Sequence, residues 1–257
     1  MNEQLEADFQ EKVKSLKGKT NILHFSTGAD SVACFLRLRE HGIEPVLVYQ
    51  YFLKDLPMVK NYINYFQNKF NVRVYKFPST LYAEHITKAL YQLPVKGFEK
   101  YSNSIAMYGY HLLTKDFFDE ILKDELGGDC VTHLGLRYTD GIWRYKHLLK
   151  NGVSFNDKFY PIASFQIKDV QAILEKYNCL LPIEYGLWGI SFESARAWNI
   201  NLIKEHCPET FKQIEKVFPT IGYEGARDKY SGLNKHFQSR LTQFARFAMK
   251  KEMCEIW

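Results

Sequence analysis

The stretch Asn21-Ile-Leu-His-Phe-Ser-Thr-Gly-Ala-Asp-Ser-Val-Ala-Cys-Phe-Leu-Arg-Leu-Arg-Glu-His-Gly42 decides the fold. "NILHFS" is a short apolar run that reads as a buried strand, and "STGADS" is a loop of small and hydroxyl-bearing residues. Val32, Ala33, Phe35, Leu36 and Leu38 then give the apolar face of a helix, which Gly42 stops. A strand that turns through a small-residue loop into a helix is the opening of a βα unit.

The same alternation continues on the C-terminal side. "EPVLVYQY" reads as a second strand, "LPMVKNYINYFQNKF" as a second helix and "VRVYKF" as a third strand closed by Pro78. The tyrosine-rich middle, from Ser79 to Leu113, reads as a helix plus an insertion. "KDFFDEILKDELGG" is again an amphipathic helix with a glycine stop, "DCVTHLGLRY" a fourth strand and "TDGIWRYKHLLKNG" a polar stretch. "FYPIAS" reads as a short extended piece before the helix "IKDVQAILEKYN", and the chain is helical from about Phe192. On the N-terminal side, residues 3 to 17 read as a helix. Strands alternating with helices imply an α/β fold, a parallel sheet flanked by helices with right-handed crossovers. A helical C-terminal extension follows. The expected division is an α/β domain over 1–190 and the extension over 191–257.

Composition narrows the class without naming a function. The 257 residues are enough for one large domain, and 46% hydrophobic with 25% charged residues is an ordinary globular balance. Aromatics reach 16%, which suits either stacking surfaces or packing. The first twenty residues are charged and helix-prone, and no apolar run is long enough to span a bilayer, so a cytoplasmic protein without a membrane partner is expected. Five scattered cysteines (Cys34, Cys130, Cys179, Cys207, Cys254) form no CxxC pair, which predicts free thiols and neither zinc nor an iron–sulfur cluster. A net charge of +5 favours anionic ligands. Much of it lies in the aromatic-laced C-terminal stretch from Arg227 to Met253, either a solvated helix face or a nucleic-acid contact.

Ligands of an open parallel sheet bind beyond the C-terminal strand ends, where "STGADS" lies. Gly28 lets the backbone approach an oxyanion closely, and the amides of Ala29, Asp30 and Ser31 are expected to point outward at a helix N-terminus. The hydroxyls of Ser26, Thr27 and Ser31 can donate to phosphate or sulfate, while Asp30 can cap the helix, orient the loop or approach a metal. The loop is neither a Walker A sequence nor a GxGxxG fingerprint, so by itself it reads more readily as a well-capped turn. Arg137 and Arg144 suit a bidentate oxyanion contact, the alternative being a surface salt bridge with Asp140.

Four blocks in order carry a resemblance. "HFSTGADSVACFLRL" resembles the PP-loop, usually written SGGxDS, of the adenine nucleotide alpha-hydrolase-like superfamily, and its surroundings resemble the phosphoadenosine phosphosulfate reductase family within it. "VLVYQYFLKDLPMVKNYINYFQNKFNVRVYKF" looks like that family's second βα unit. "CVTHLGLRYTDGIWR" looks like its G-x-R-x-x-(D/E)-S-x-x-R motif, and "KFYPIASFQIKDVQAILEKYNCLLPIEYGLWGIS" like its YPL-containing stretch. The resemblance spans Asn21 to Ser194 and implies a parallel sheet flanked by helices.

It implies further that Ser26, Thr27, Gly28, Ala29, Asp30 and Ser31 hold a nucleotide's phosphates, with Gly135, Arg137 and Arg144 facing the same anion. Tyr49 and Gln50 become candidate adenosine contacts, with core packing the equal alternative for Tyr49. The implied cofactor is ATP or a phosphosulfate nucleotide, with Mg2+ if ATP is used. Ala29 stands where ATP-cleaving members place a lysine, and the tail "KKEMCEIW" lacks the reductases' ECGxH setting around its cysteine. No residue is thereby assigned a catalytic role. Three functions stay open: an enzyme moving an adenylyl or sulfur-containing group, a non-catalytic nucleotide-binding subunit or sensor, and a nucleic-acid binder acting through the C-terminal helices.

Overall fold

The computed structural model describes residues 1–88, 90–92, 115–127 and 129–231. Its centre is a six-stranded sheet of order β3-β2-β1-β4-β6-β5. The strands are β1 (Thr20–His24), β2 (Val46–Tyr51), β3 (Val74–Pro78), β4 (Cys130–His133), β5 (Ser154–Phe155) and β6 (Lys158–Phe159). All neighbours run parallel except the terminal hairpin β5–β6. β4 is buried along its whole length and β1 at its three central residues, as strands covered on both faces must be.

The helices form where propensity and capping agree. Asn2 accepts the amide of Leu5 at 3.1 Å to cap α1 (Glu3–Lys12), which tightens into a 3-10 turn over Val13–Leu16. Helix α2 (Ala29–Glu40) follows the small-residue loop, and α3 (Pro57–Phe70) opens on proline and ends at a left-handed Asn71. Ser79 caps α4 (Thr80–Thr87), α5 covers Lys115–Leu126, and α6 covers Ile142–Asn151. Helix α7 (Ile167–Lys176) precedes the single turn α8 (Glu184–Leu187). The chain continues as α9 (Ala197–His206), α10 (Pro208–Val217) and α11 (Gly222–Ser231).

Register fixes which side chains share a face. Thr20, Ile22, Cys130 and Thr132 point to one side, and Asn21, Leu23, Val131 and His133 to the other. The second side carries the main core, where Leu23, Leu47, Val32, Phe35, Val59, Phe66 and Leu174 pack together with Ile200, Phe211, Ile214 and Phe218 of the C-terminal helices. Beside it Phe9, Val131, Leu148 and Phe159 join α1 and α6 to the sheet. On the first side Ile22, Val48 and Cys130 receive Phe118 and Leu122 of α5.

A buried ion pair ties α1 to α2. Arg37 reaches both carboxylate oxygens of Glu6 at 2.7 and 2.6 Å and Ser164 Oγ at 3.2 Å, and its guanidinium lies 3.6 Å from the Phe9 ring centroid. With both terminal nitrogens of the guanidinium and both carboxylate oxygens partnered, the cost of burying the arginine is offset.

Several expected elements are corrected. The fourth strand ends at His133 rather than running to Tyr138, because the Leu136 amide folds back onto the Leu134 carbonyl at 2.9 Å and the Arg137 amide turns to Asp140. The polar stretch 139–152 contains helix α6, and the piece read as extended over 159–164 is turn after Phe159. The hairpin β5–β6 turns at Asn156, which has φ 53°, and Asp157. Cys34, Cys130 and Cys179 are buried free thiols and Cys207 is a partly exposed one, as expected. Cys254 and the basic stretch beyond 231 lie outside the described residues, as does most of the tyrosine-rich middle. Among the described residues no helix is long and apolar enough to cross a membrane.

Candidate functional site

The strand order reverses direction at β1. From β1 the chain builds outward through β2 and β3, then returns to add β4 on the other side. The crevice between the C-terminal ends of β1 and β4 is therefore the topological switch point, where ligands of such sheets bind. Two loops meet there: 25–28, leading into α2, and 134–141, leading into α6. They touch closely, for a Cβ on Gly135 would stand 3.2 Å from that of Asp30, so only glycine fits without displacement.

The first loop holds an unusual residue. Thr27 has φ 65°, a left-handed conformation that a β-branched residue adopts only under constraint, at about 1–2 kcal/mol. It is 1% exposed, and its Oγ1 is buried with no hydrogen-bond partner among the described residues. Ser26 is exposed, with its Oγ 3.3 Å from that of Ser31 and 3.4 Å from the Gly28 amide. Ser31 donates its hydroxyl to the Gly28 carbonyl at 2.8 Å. The helix begins at Ala29 with Gly28 as N-cap, so Asp30 occupies the first turn rather than the capping position.

A segment that the sequence left without a role closes over this loop. The Ala29 amide, expected to face outward, donates to the phenol oxygen of Tyr185 in α8 at 2.8 Å. A Cβ on Gly28 would meet Ser191 Oγ at 3.0 Å and the Tyr185 oxygen at 3.1 Å. Glu184, beside Tyr185, is fully buried, and neither of its oxygens has a hydrogen bond of normal geometry among the described residues. Burial pushes its carboxyl up to about 7, against the backbone amides of Glu184 itself and Phe192. The only signal for these residues was the glycine-aromatic run "YGLWGIS". Two surface clefts, of about 260 and 300 Å3, lie elsewhere and include no residue of the loop.

Charge is balanced across the crevice. Arg137, 7% exposed, sets its Nε 3.1 Å from Asp30 Oδ1 and a terminal nitrogen 2.8 Å from Asp140 Oδ1. Asp140 also accepts the Arg137 amide at 3.0 Å and Arg144 at 2.9 Å. Burial raises the Asp30 carboxyl from 3.8 to about 6; Arg137 opposes the rise and Asp140 adds to it. Arg144 is half exposed and makes the salt bridge with Asp140 that was its alternative reading. Two arginines thus face two aspartates.

The remaining expected contacts separate. Tyr49 is 5% exposed in the main core near Glu184, which matches packing, and burial holds its phenol well above the usual range. Gln50 alternates to the other side of β2, with its Nε2 buried and unpartnered among the described residues. On that side His24 Nε2 lies 2.8 Å from Asp119 of α5. Among the described residues no group of three His, Cys, Asp or Glu side chains could hold a metal ion.

No protein-family model matches the sequence, and no curated protein matches it. Among solved structures the chain is similar to the NH3-dependent NAD synthetase from Campylobacter jejuni subsp. jejuni NCTC 11168 in complex with the nitrate ion. The likeness has 13% identity and a TM-score of 0.40, over 90% of this chain and 97% of that one.

Proposed function

We propose that this chain binds an adenine nucleotide, ATP or a phosphosulfate derivative, in the crevice beyond β1 and β4. As an enzyme of the phosphoadenosine phosphosulfate reductase-like kind within the PP-loop superfamily, it would transfer or release an adenylyl or sulfur-containing group. The observation that carries this reading is Thr27, a strained residue whose buried hydroxyl lacks a partner among the described residues, in the loop at the switch point. Strain of this kind persists where the surroundings enforce it, and it concentrates at ligand clamps.

The residues present suit a phosphate or sulfonate group. Thr27 Oγ1 is a buried donor without an acceptor among the described residues, Gly28 lets the Ser26, Tyr185 and Ser191 hydroxyls gather closely around the loop backbone, and Arg137 offers a planar fork from the facing loop. Ser26 and Ser31 add hydroxyls beside them. Bound there, the nucleotide would supply the activated phosphoryl or sulfonate bond. The chain's own part is to orient that group and stabilise its charge through the loop hydroxyls and Arg137. A magnesium ion would need most of its ligands from phosphates and water, with Asp30 the nearest carboxylate of the loop.

A second reading, nucleotide binding without catalysis, draws on two observations. The Ala29 amide is already taken by Tyr185, and Arg137 already faces two carboxylates. Calorimetry with ATP, adenosine phosphosulfate and its 3′-phosphorylated form, followed by pyrophosphate- and sulfite-release assays, separates the two. Binding with turnover is the expected result. Tight binding without turnover at any magnesium level would leave the second reading, and failure to bind any of the three would end both.

A further inference from the structure

We propose that the chain pairs with a second copy of itself, helix α6 of each copy docking on helix α5 of the other about a two-fold axis. This inference stands apart from the nucleotide site. Helix α6 turns its apolar residues the wrong way for a monomer: Ile142 is 60% exposed, Trp143 79% and Leu149 49%, and only Leu148 is fully buried. Lys146 and Lys150 lie among them, and Ile142–Asn151 contains no acidic residue.

Helix α5 is the counterpart. It exposes Ile121 and Leu126 at 37% and 41%, interleaved with exposed Glu120, Asp124 and Glu125. None of these three acids, nor Lys146 or Lys150, forms an ion pair with another described residue. One surface is apolar and basic, the other apolar and acidic. An exposed apolar patch of this kind marks an association site, and opposite charge selects its partner.

Their placement closes the assembly. Cys130 and Val131 are successive residues of β4, so the side carrying Cys130 and α5 is opposite the side carrying Val131 and α6. Both helices reach the same edge of the sheet. His147 of α6 packs on Phe155 of edge strand β5 with ring centroids 5.5 Å apart, and Lys123 of α5 pairs with Asp157 in the β5–β6 turn. Rotation by half a turn about an axis along that edge exchanges the two sides. It brings α6 of each copy to α5 of the other, so both contacts form together and growth stops at two. A nucleic acid would suit α6 alone and be repelled by α5, whereas a second copy satisfies both.

The test is light scattering and sedimentation equilibrium of the full chain, with the double variants K146E/K150E and E120K/D124K. The wild type is expected to be a dimer that weakens as salt rises, since the Debye length falls from about 10 Å at 0.1 M to about 3 Å at 1 M. Each variant alone, with an unchanged circular dichroism spectrum, is expected to dimerise roughly 100-fold more weakly, because like charges then face each other. Mixed together they should form a 1:1 heterodimer, in which both contacts again pair opposite charges.

A wild type that stays monomeric at low salt overturns the proposal, as does a dimer that salt does not weaken, a measurement that needs no variant. Variants that still dimerise, or a mixture that remains monomeric, overturn it too. Single-stranded oligonucleotide binding by a monomeric wild type, lost in K146E/K150E, would assign α6 to nucleic acid instead.

Discussion

Replacing Glu184 by glutamine keeps the shape of a fully buried side chain and removes its titration. In the folded protein burial moves this carboxyl from 4.5 to about 7, and among the described residues no ion pair compensates it. The folded state therefore holds the proton to higher pH than the unfolded chain, and ionisation in place works against folding. The stability that the protonated form confers is intact below pH 4.5 and falls through the window up to about 7. At about 1.4 kcal/mol per pH unit, the wild type gives up about 3 kcal/mol across it. Glutamine gives up nothing. The stability difference between Glu184→Gln and wild type should be flat below pH 4.5, grow in the variant's favour, and level off near 3 kcal/mol above 7. Urea unfolding at closely spaced pH values measures it, and Asp30, which titrates in both proteins, cancels in the difference. A difference that does not change with pH would refute the reasoning.

The other expectations concern the loop. Thr27→Gly should stabilise the fold by about 1 kcal/mol, by releasing the left-handed strain and the unpaired hydroxyl against the lost methyl burial and added chain entropy. It should also weaken nucleotide binding; a variant that gains stability and keeps affinity would remove Thr27 from the site. Tyr185→Phe frees the Ala29 amide and is expected to tighten binding by about 1 kcal/mol in calorimetry, with weaker binding counting against the idea that the phenol competes with the ligand. Arg137→Ala should cost about 1.5–3 kcal/mol of nucleotide binding, while Arg144→Ala, which removes an exposed pair, should cost under about 1 kcal/mol. Equal losses in the two variants would contradict the geometry.

How much of this was legible beforehand differs residue by residue. The first two strands and their helices announced themselves, because each strand is built around an apolar run and each helix carries apolar residues at helical spacing, while β3 shows as a short β-rich segment closed by Pro78. Helix α6 did not, since its large apolar side chains face outward and no inward stripe marks it. The β5–β6 hairpin is too short for alternation to register, though Asn156-Asp157 is a turn signal. In the candidate site, the loop's position and the Arg144–Asp140 alternative could be read along the chain, because both are local. The Asp30–Arg137 pair, and Tyr185 on the Ala29 amide, join residues more than a hundred positions apart, so only the fold could reveal them. The Thr27 hydroxyl is legible as a donor, but its left-handed backbone runs against the preference of a β-branched side chain and leaves no mark in the sequence.

The balanced crevice also changes what kind of event binding is. Arg137 already holds a carboxylate, so a phosphate arriving there performs a ligand exchange, one anion replacing another, and the ion pair given up offsets part of the guanidinium's gain. The displaced Asp30 already titrates near 6, and losing its cation raises it further. At neutral pH the nucleotide would then enter together with a proton taken from the buffer. The calorimetric heat of association should depend on the buffer's own ionisation enthalpy, and the apparent affinity should fall as pH rises. Because the site offers little net positive field, association should also be slow for an anion and nearly indifferent to ionic strength.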